Sequence, residues 1–489
     1  MNRGFINVCR SKQRTHASYI AAVCFCVAFF GLPGGITFAQ QSTNMAGVEN
    51  SVGYLASGTS IEPKTTSEST AMIHGSVGNW TAMLHANAFL VDVQQNGARG
   101  RDKLFSTNWI MPMIHRQFGR QGLSFRAMLS FEPATITKRR YPLLFQTGET
   151  AYGLSIIDGQ HPHDLFMELA GRYDVTAGEG VHLFVYGGPV GEAALGPTPF
   201  PHRASASENP LAPLGHHQQD STHIATNVIS VGAARGPVQL EASTFHGREP
   251  DEGRWNIGRG KPDSFAARVT ISPHKTLSGQ FSAGRINEPE STDPTLDTIR
   301  TTASVHYNRR VSSGHIASSF IWGRNKNVKD GSRRIFNAYN FEITAKFLKH
   351  NWLWTRLEDA DRDQSLLPVA SQPAQPGCLL CGLVGRGISS LDDSGKGTPF
   401  DHVVLGPDGT ALTIEEIPIG RVKNYTVGYE RELPVGLKSV NFGIGVQATL
   451  YGLPPNLKAV YGNRPSTFAV FVRLRAAGNM QEHMKLMHQ

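Results

Sequence analysis

The feature that most constrains this chain is a period of two in its hydrophobicity, repeated along much of its length. Leu123, Phe125, Ala127, Leu129 and Phe131 interleave with Ser124, Arg126, Met128, Ser130 and Glu132. Leu165, Met167, Leu169 and Tyr173 interleave with Glu168, Arg172 and Asp174. Phe442, Ile444, Val446, Ala448 and Leu450 interleave with Asn441, Gly443, Gln447 and Thr449. Strand side chains point alternately to opposite faces, so each segment has one apolar and one polar face. Composition removes the competitors. At 40 % hydrophobic the 489 residues are too apolar for disorder, and five cysteines are too few for a disulfide scaffold. Past residue 40 no run approaches the roughly 18 apolar residues a spanning helix needs. An all-β chain remains, either a soluble sandwich or a membrane barrel.

The N-terminus reads as an export signal over residues 1–39: basic Arg3, Arg10, Lys12 and Arg14, the apolar run Tyr19 to Phe30, then Thr37-Phe38-Ala39 before Gln40. Removing its four basic residues reduces the net charge from +8 to +4, too little for nucleic-acid binding. Residues 40–78 read as a polar periplasmic lead-in that alternatively enters the lumen, 79–475 as the barrel, and 476–489 as a Met/His-rich periplasmic tail.

Connection lengths favour the barrel. Strands are expected near 79–93, 104–117, 122–132, 163–175, 181–188, 222–233, 237–247, 263–272, 276–286, 298–309, 314–324, 335–348, 351–358, 420–431, 437–451 and 465–475. Connections after even-numbered strands are tight; those after odd-numbered ones are longer, and 133–162, 189–221 and 359–419 are very long. Short periplasmic turns alternating with long extracellular loops are the pattern of an outer-membrane barrel. Outward Phe131, Phe265 and Phe468 fall toward one rim, and Tyr173, Tyr307 and Tyr429 toward the other, as interfacial girdles require. Pro112, inside the second strand, demands a bulge or a shortened strand. The thirteenth strand, with Trp352 and Trp354 on one face, is expected to be short.

In this architecture the chain resembles the sixteen-stranded bacterial porins. The resemblance implies a transmembrane antiparallel barrel in the outer membrane, whose third external loop, here 189–221, folds inward as a constriction. The strings His161-Pro162-His163-Asp164-Leu165-Phe166-Met167-Glu168 and Gly247-Arg248-Glu249-Pro250-Asp251-Glu252 also resemble those of a group of uncharacterised Gram-negative outer-membrane proteins.

Sixteen strands enclose a bore wide enough for water. The inward set Arg126, Glu132, Glu168, Arg172, His182, Glu241, Arg268, Glu342, Lys346 and Arg473 then either biases passing ions or pairs across a filled lumen. His161, His163 and Asp164 enter strand four, and His216, His217, Asp220 and His223 enter strand six, at the same extracellular end, with His202 and His246 as neighbours. Imidazole with carboxylate suits divalent zinc, copper or nickel, against the plainer reading of polar loop ends bonding their own turns. Met480, His483, Met484, Met487 and His488 crowd the tail, and Met72-x-His74 and Met83-x-His85 repeat the pairing; thioether and imidazole suit copper(I). Cys378-x-x-Cys381 reads as a local disulfide, with a metal or redox role as the alternative. No nucleophile elbow, phosphate-cradling loop or dinucleotide fingerprint is present, and no enzyme is expected. The expected function is a porin-like channel for small polar solutes or ions, with lipid as its surroundings, no required cofactor, and a homotrimer allowed. The alternative is a non-conducting barrel that binds metal or a partner through its external loops.

Overall fold

The computed structural model describes residues 52–291, 295–329, 332–367, 403–405, 411–413, 418–434 and 439–477. Sixteen long antiparallel strands close into one barrel. In chain order they are β1 (Trp80–Gln95), β2 (Lys103–Phe118), β3 (Gln121–Leu129), β4 (Phe166–Ala177), β5 (Val181–Gly191), β6 (Ala225–Arg235), β7 (Val238–His246) and β8 (Ser264–His274). There follow β9 (Leu277–Ile286), β10 (Asp297–Val311), β11 (Gly314–Lys329), β12 (Ser332–Phe347), β13 (Asn351–Asp363), β14 (Pro418–Leu433), β15 (Val440–Gly452) and β16 (Ser466–Ala476). Each strand pairs with the next, and β16 returns to β1 from Thr467↔Gln95 to Arg475↔Asn87. Below that seam the short strand Ile73–Val77 takes over the same edge of β1. Closure leaves no open edge among the long strands, which is what a bilayer requires of a sheet.

The alternation performs as its period dictates. Phe265, Phe281, Phe320, Leu353, Val427, Val446 and Phe468 are exposed on the outer surface. Polar residues face in: Thr298, Arg300, Thr302, Ser304, His306 and Asn308 on β10 are all buried. Tight turns at 119–120, 178–180, 236–237, 275–276 and 312–313 join strands at one end, and the long connections gather at the other.

Four local expectations change. β2 runs through Pro112, which pairs in register with Leu84 of β1, while its pairing with β3 lapses between Ile110↔Leu129 and Met113↔Arg126, as the missing N–H requires. β13 is long, reaching Asp363. β11 and β12 extend past the expected boundaries to a connection at 330–331, with Val328↔Arg333 and Lys329↔Ser332 continuing the ladder. β3 stops at Leu129, so Glu132 is not an inward strand residue. It opens the helical turn Glu132–Thr135, because Pro133 has no N–H to continue a ladder.

The bore is not empty. The connection 192–224 between β5 and β6 folds into it and is buried over most of its length. The connection between β3 and β4 supplies a hairpin, Tyr141–Ala151 with Leu154–Gln160. Residues 52–70 also lie inside the barrel rather than beside it as a free lead-in. The Gln239 side chain donates to Thr59 O at 3.1 Å, Arg268 to Thr59 Oγ1 at 2.9 Å, and Thr65 Oγ1 to Asn308 O at 2.6 Å. Apolar contacts fill the gaps: Phe89, Phe105, Tyr141, Leu143, Phe200, Leu211, Trp352, Trp354 and Phe471 form one internal cluster. Gly323 on β11 shows how close the packing is, since a Cβ there would stand 2.3 Å from Gln218 O of the inserted loop.

Candidate functional site

The inward charges of the wall meet charges carried in by the loop. Arg268 on β8 donates to Glu241 on β7 at 2.5 Å and to Glu192 of the loop at 3.3 Å. Glu342 on β12 lies between Arg203 of the loop (2.8 Å) and Arg356 of β13 (2.7 Å). Arg203 also reaches Asp220 at 3.1 Å. On β16, Arg473 contacts Glu208 of the loop and, at 2.9 Å, Glu430 of β14; Arg475 contacts Glu208 at 3.3 Å and also Glu432. Arg126 faces Glu168 at 3.3 Å, Arg172 faces Asp174 at 2.8 Å, and Lys346 faces Glu432 at 3.2 Å. His182 sits nearer the tight turns, its Nδ1 3.1 Å from Thr176 Oγ1. Charges this deeply buried persist only when paired, and here they pair both within the wall and between wall and loop.

Both histidine motifs arrive at one place. The ring centroids of His163 and His223 are 5.5 Å apart, those of His216 and His223 5.3 Å, and those of His161 and His217 5.8 Å. Phe200 of the loop contacts His163, His216 and His223. Carboxylates hold the rings from behind: Glu132 lies 3.0 Å from His163 Nδ1, Asp220 2.6 Å from His216 Nδ1, and Glu149 2.8 Å from His161 Nε2. Asp164 accepts from Arg254 at 3.0 Å. Burial pushes His161 and His217 down to about 4 and also lowers His216, His202 and His223. His163 alone is raised, because the Glu132 carboxylate outweighs its burial. The cluster is therefore mostly neutral imidazole at neutral pH. His246 pairs instead with Asp263, 2.8 Å away. Among the described residues no group of three or more His, Cys, Asp or Glu is arranged to hold a metal ion. The rings lie between the loop and the hairpin, with His217 against Gly148 and His161 against Glu149.

Met480, His483, Met484, Met487, His488, Cys378 and Cys381 lie outside the described residues. Several central residues were absent from the expected set. Arg356, Glu430, Glu432 and Arg475 share the inward parity of the residues named on neighbouring strands and were within reach of that signal. Arg203, Glu192 and Glu208 belong to an aperiodic loop, where the sequence carries no comparable sign of orientation. Between the loop and residues 69–71 remains a small cavity, lined by His85, Trp109, His202, Glu208, Trp352 and Arg475, among others.

No family profile and no curated protein matches the chain. Solved structures do. OmpF of Salmonella typhi in complex with daunomycin aligns at a TM-score of 0.46 and 8 % identity, over 82 % of this chain and 100 % of that one. An anion-selective porin from Comamonas acidovorans aligns at 0.44 and 11 % identity, over 81 % and 99 %. A loop-deleted OmpT of Vibrio cholerae aligns at 0.42 and 7 %, over 81 % and 99 %. The assignment of this chain as a sixteen-stranded, porin-like outer-membrane barrel rests on its own closed sheet and exposed apolar outer surface.

Proposed function

We propose that this barrel is a porin-like pathway for small polar solutes or ions that its own chain holds shut at rest. The observation that carries this reading is the burial of the inner wall. Trp352, Trp354, Arg356, Glu358, Ala360 and Arg362 on β13, and Val422, Asn424, Thr426, Glu430 and Glu432 on β14, are all buried. An open aqueous pore leaves such residues wet. Here the inserted loop and the hairpin 141–160 cover them, through Arg356 to Leu211 O and Arg362 to Leu214 O and Phe145 O, while residues 52–70 cover the wall from β7 to β10 at Gln239, Arg268 and Asn308. The balanced ion pairs argue for selection by displacement of internal contacts and against a fixed excess of one charge.

Conductance of the purified full-length chain in a planar bilayer tests this, alongside a chain lacking residues 52–69. The expected result is rare, small openings from the former and frequent ones from the latter. A large, stable open level from the full-length chain would overturn the closed state. The same burial also favours a second reading, a non-conducting barrel that binds at its external end. Silence from both chains would establish that reading in place of the first.

A further inference from the structure

The methionines are not scattered. The six within the described residues, Met72, Met83, Met111, Met113, Met128 and Met167, belong to a single cluster around Trp109. Trp109, Met111 and Met113 alternate along β2, so they share its inner face, while Leu104 and Ile114 of the same strand are exposed on the outer face. Across the ladder Met83 pairs with Met113, and His85 with Met111. The inserted loop completes the wall: His202 Nε2 lies 3.2 Å from Met128 Sδ. The Trp109 ring is 4.6 Å from both the His85 and the His202 rings. The cavity described above borders this group at His85, Trp109 and His202.

Methionine often fills irregular apolar gaps, and a filled gap would need nothing more. That account leaves the placement unexplained. The wall on other strands carries Arg, Glu, Ser and Thr, and branched apolar residues were available for packing on the same strands. What the group shares is donor chemistry. Thioether sulfur and neutral imidazole are the ligands that select copper(I), whereas calcium and magnesium require oxygen. An aromatic face beside the donors stabilises a cation further.

We propose that Met111, Met113, Met128 and His202, with Trp109 beside them, form a lumenal site for a soft monovalent metal ion of the copper(I) class. The thioether donors carry no charge, so the ion is held without an anionic ligand and remains exchangeable, as a site along a pathway requires. The loop must be docked for His202 to contribute. Passage of the ion rests on the pathway proposed above, whereas binding does not; the two fail separately.

Silver(I) is the probe, being soft and stable in air. The full-length chain in detergent, with its methionine methyl groups labelled with carbon-13, is titrated while the assigned methyl resonances are followed. Those of Met111, Met113 and Met128 are expected to shift together and saturate, with quenching of Trp109 emission, while magnesium leaves them unmoved. Met111→Leu/Met113→Leu conserves volume and is expected to lose at least about tenfold in affinity, as is His202→Gln. Altered gel migration before and after boiling confirms that each variant is folded. Overturning results are lumenal methyls that stay fixed while those of Met480, Met484 and Met487 shift, or a folded double variant that binds silver as tightly as the parent.

Discussion

At the scale of single residues, Arg203 ties the inserted loop to the wall at Glu342 and to itself at Asp220 and Thr198. Its guanidinium is fully buried and donates to Glu342, Asp220 and Thr198 O, at 2.8, 3.1 and 2.7 Å. Arg203→Met removes the cation and leaves both carboxylates in place. Glu342 keeps Arg356, and Asp220 keeps His216, but each loses its shared partner. Breaking a buried pair from one side costs about 3–5 kcal/mol, so the loop is expected to undock and become open to protease while the barrel persists. Arg248, paired with Glu288 at 2.7 Å but 44 % exposed, makes the contrast. Arg248→Ala is expected to stay within about 1 kcal/mol of the parent in a urea titration followed by loop cleavage. Equal losses from the two variants would contradict the role given to Arg203. Little in the sequence marks Arg203, because it follows a Pro-rich, aperiodic stretch. The wall partner Glu342 was legible from strand parity alone.

At the scale of elements, the segment 52–70 links lumen occupancy to pH. Glu62 is 1 % exposed, and burial pushes its carboxyl from 4.5 up to about 7, with Arg203 opposing only in part and Glu342 adding to the rise. His306 lies 3.3 Å away. In the released segment Glu62 returns to its ordinary value. Between 4.5 and about 7 the docked form therefore retains a proton that the released form gives up. Docking is strongest below that window and weakens as pH rises through it. A nitroxide on Ser67→Cys, an exposed position, is expected to gain a mobile component as pH is raised across the window, and Glu62→Gln to flatten the response. A spectrum unchanged with pH in the parent would refute the linkage. The polar, Ser- and Thr-rich composition of this segment reads first as a solvated lead-in, with lumen occupancy as the alternative. Only its hydrogen bonds to Gln239, Arg268 and Asn308 distinguish the two, and those depend on residues far along the chain. The strands were a different matter: a period of two is local, and each of the sixteen lies where its alternation placed it. Boundaries drifted where local signals conflicted, as at the basic stretch Arg324 to Arg334, which read as loop but continues as cross-strand pairs.

At the scale of the whole molecule, two seals stand in series. Residues 52–70 occupy the half of the bore nearer the tight turns, where Thr65 bonds Lys275 O beside the β8–β9 turn. The loop 192–224 crosses the lumen and reaches walls as distant in sequence as Arg268 and Arg473. The histidine group and the hairpin 141–160 lie at the opposite end, where Tyr461 donates to Asp158 at 3.0 Å and Arg99 holds the same carboxylate at 2.7 Å. The two closures touch, since Arg268 binds both Glu192 and Thr59 and Val52 and Ile61 pack with Ala193 and Leu195. Yet each also holds the wall by itself, residues 52–70 at Gln239 and Asn308 and the loop at Glu342 and Arg473. Series resistance then predicts an order. The full-length chain conducts least, the chain lacking 52–69 conducts more, and that chain with Arg203→Met conducts most and in larger unitary steps. Arg203→Met alone is expected to change little, because the lower seal remains. Single-channel recording of the four chains under one salt condition reads this order directly. If Arg203→Met alone opened the pore as widely as the combined variant, residues 52–70 would be a passenger in the bore and the loop its single gate.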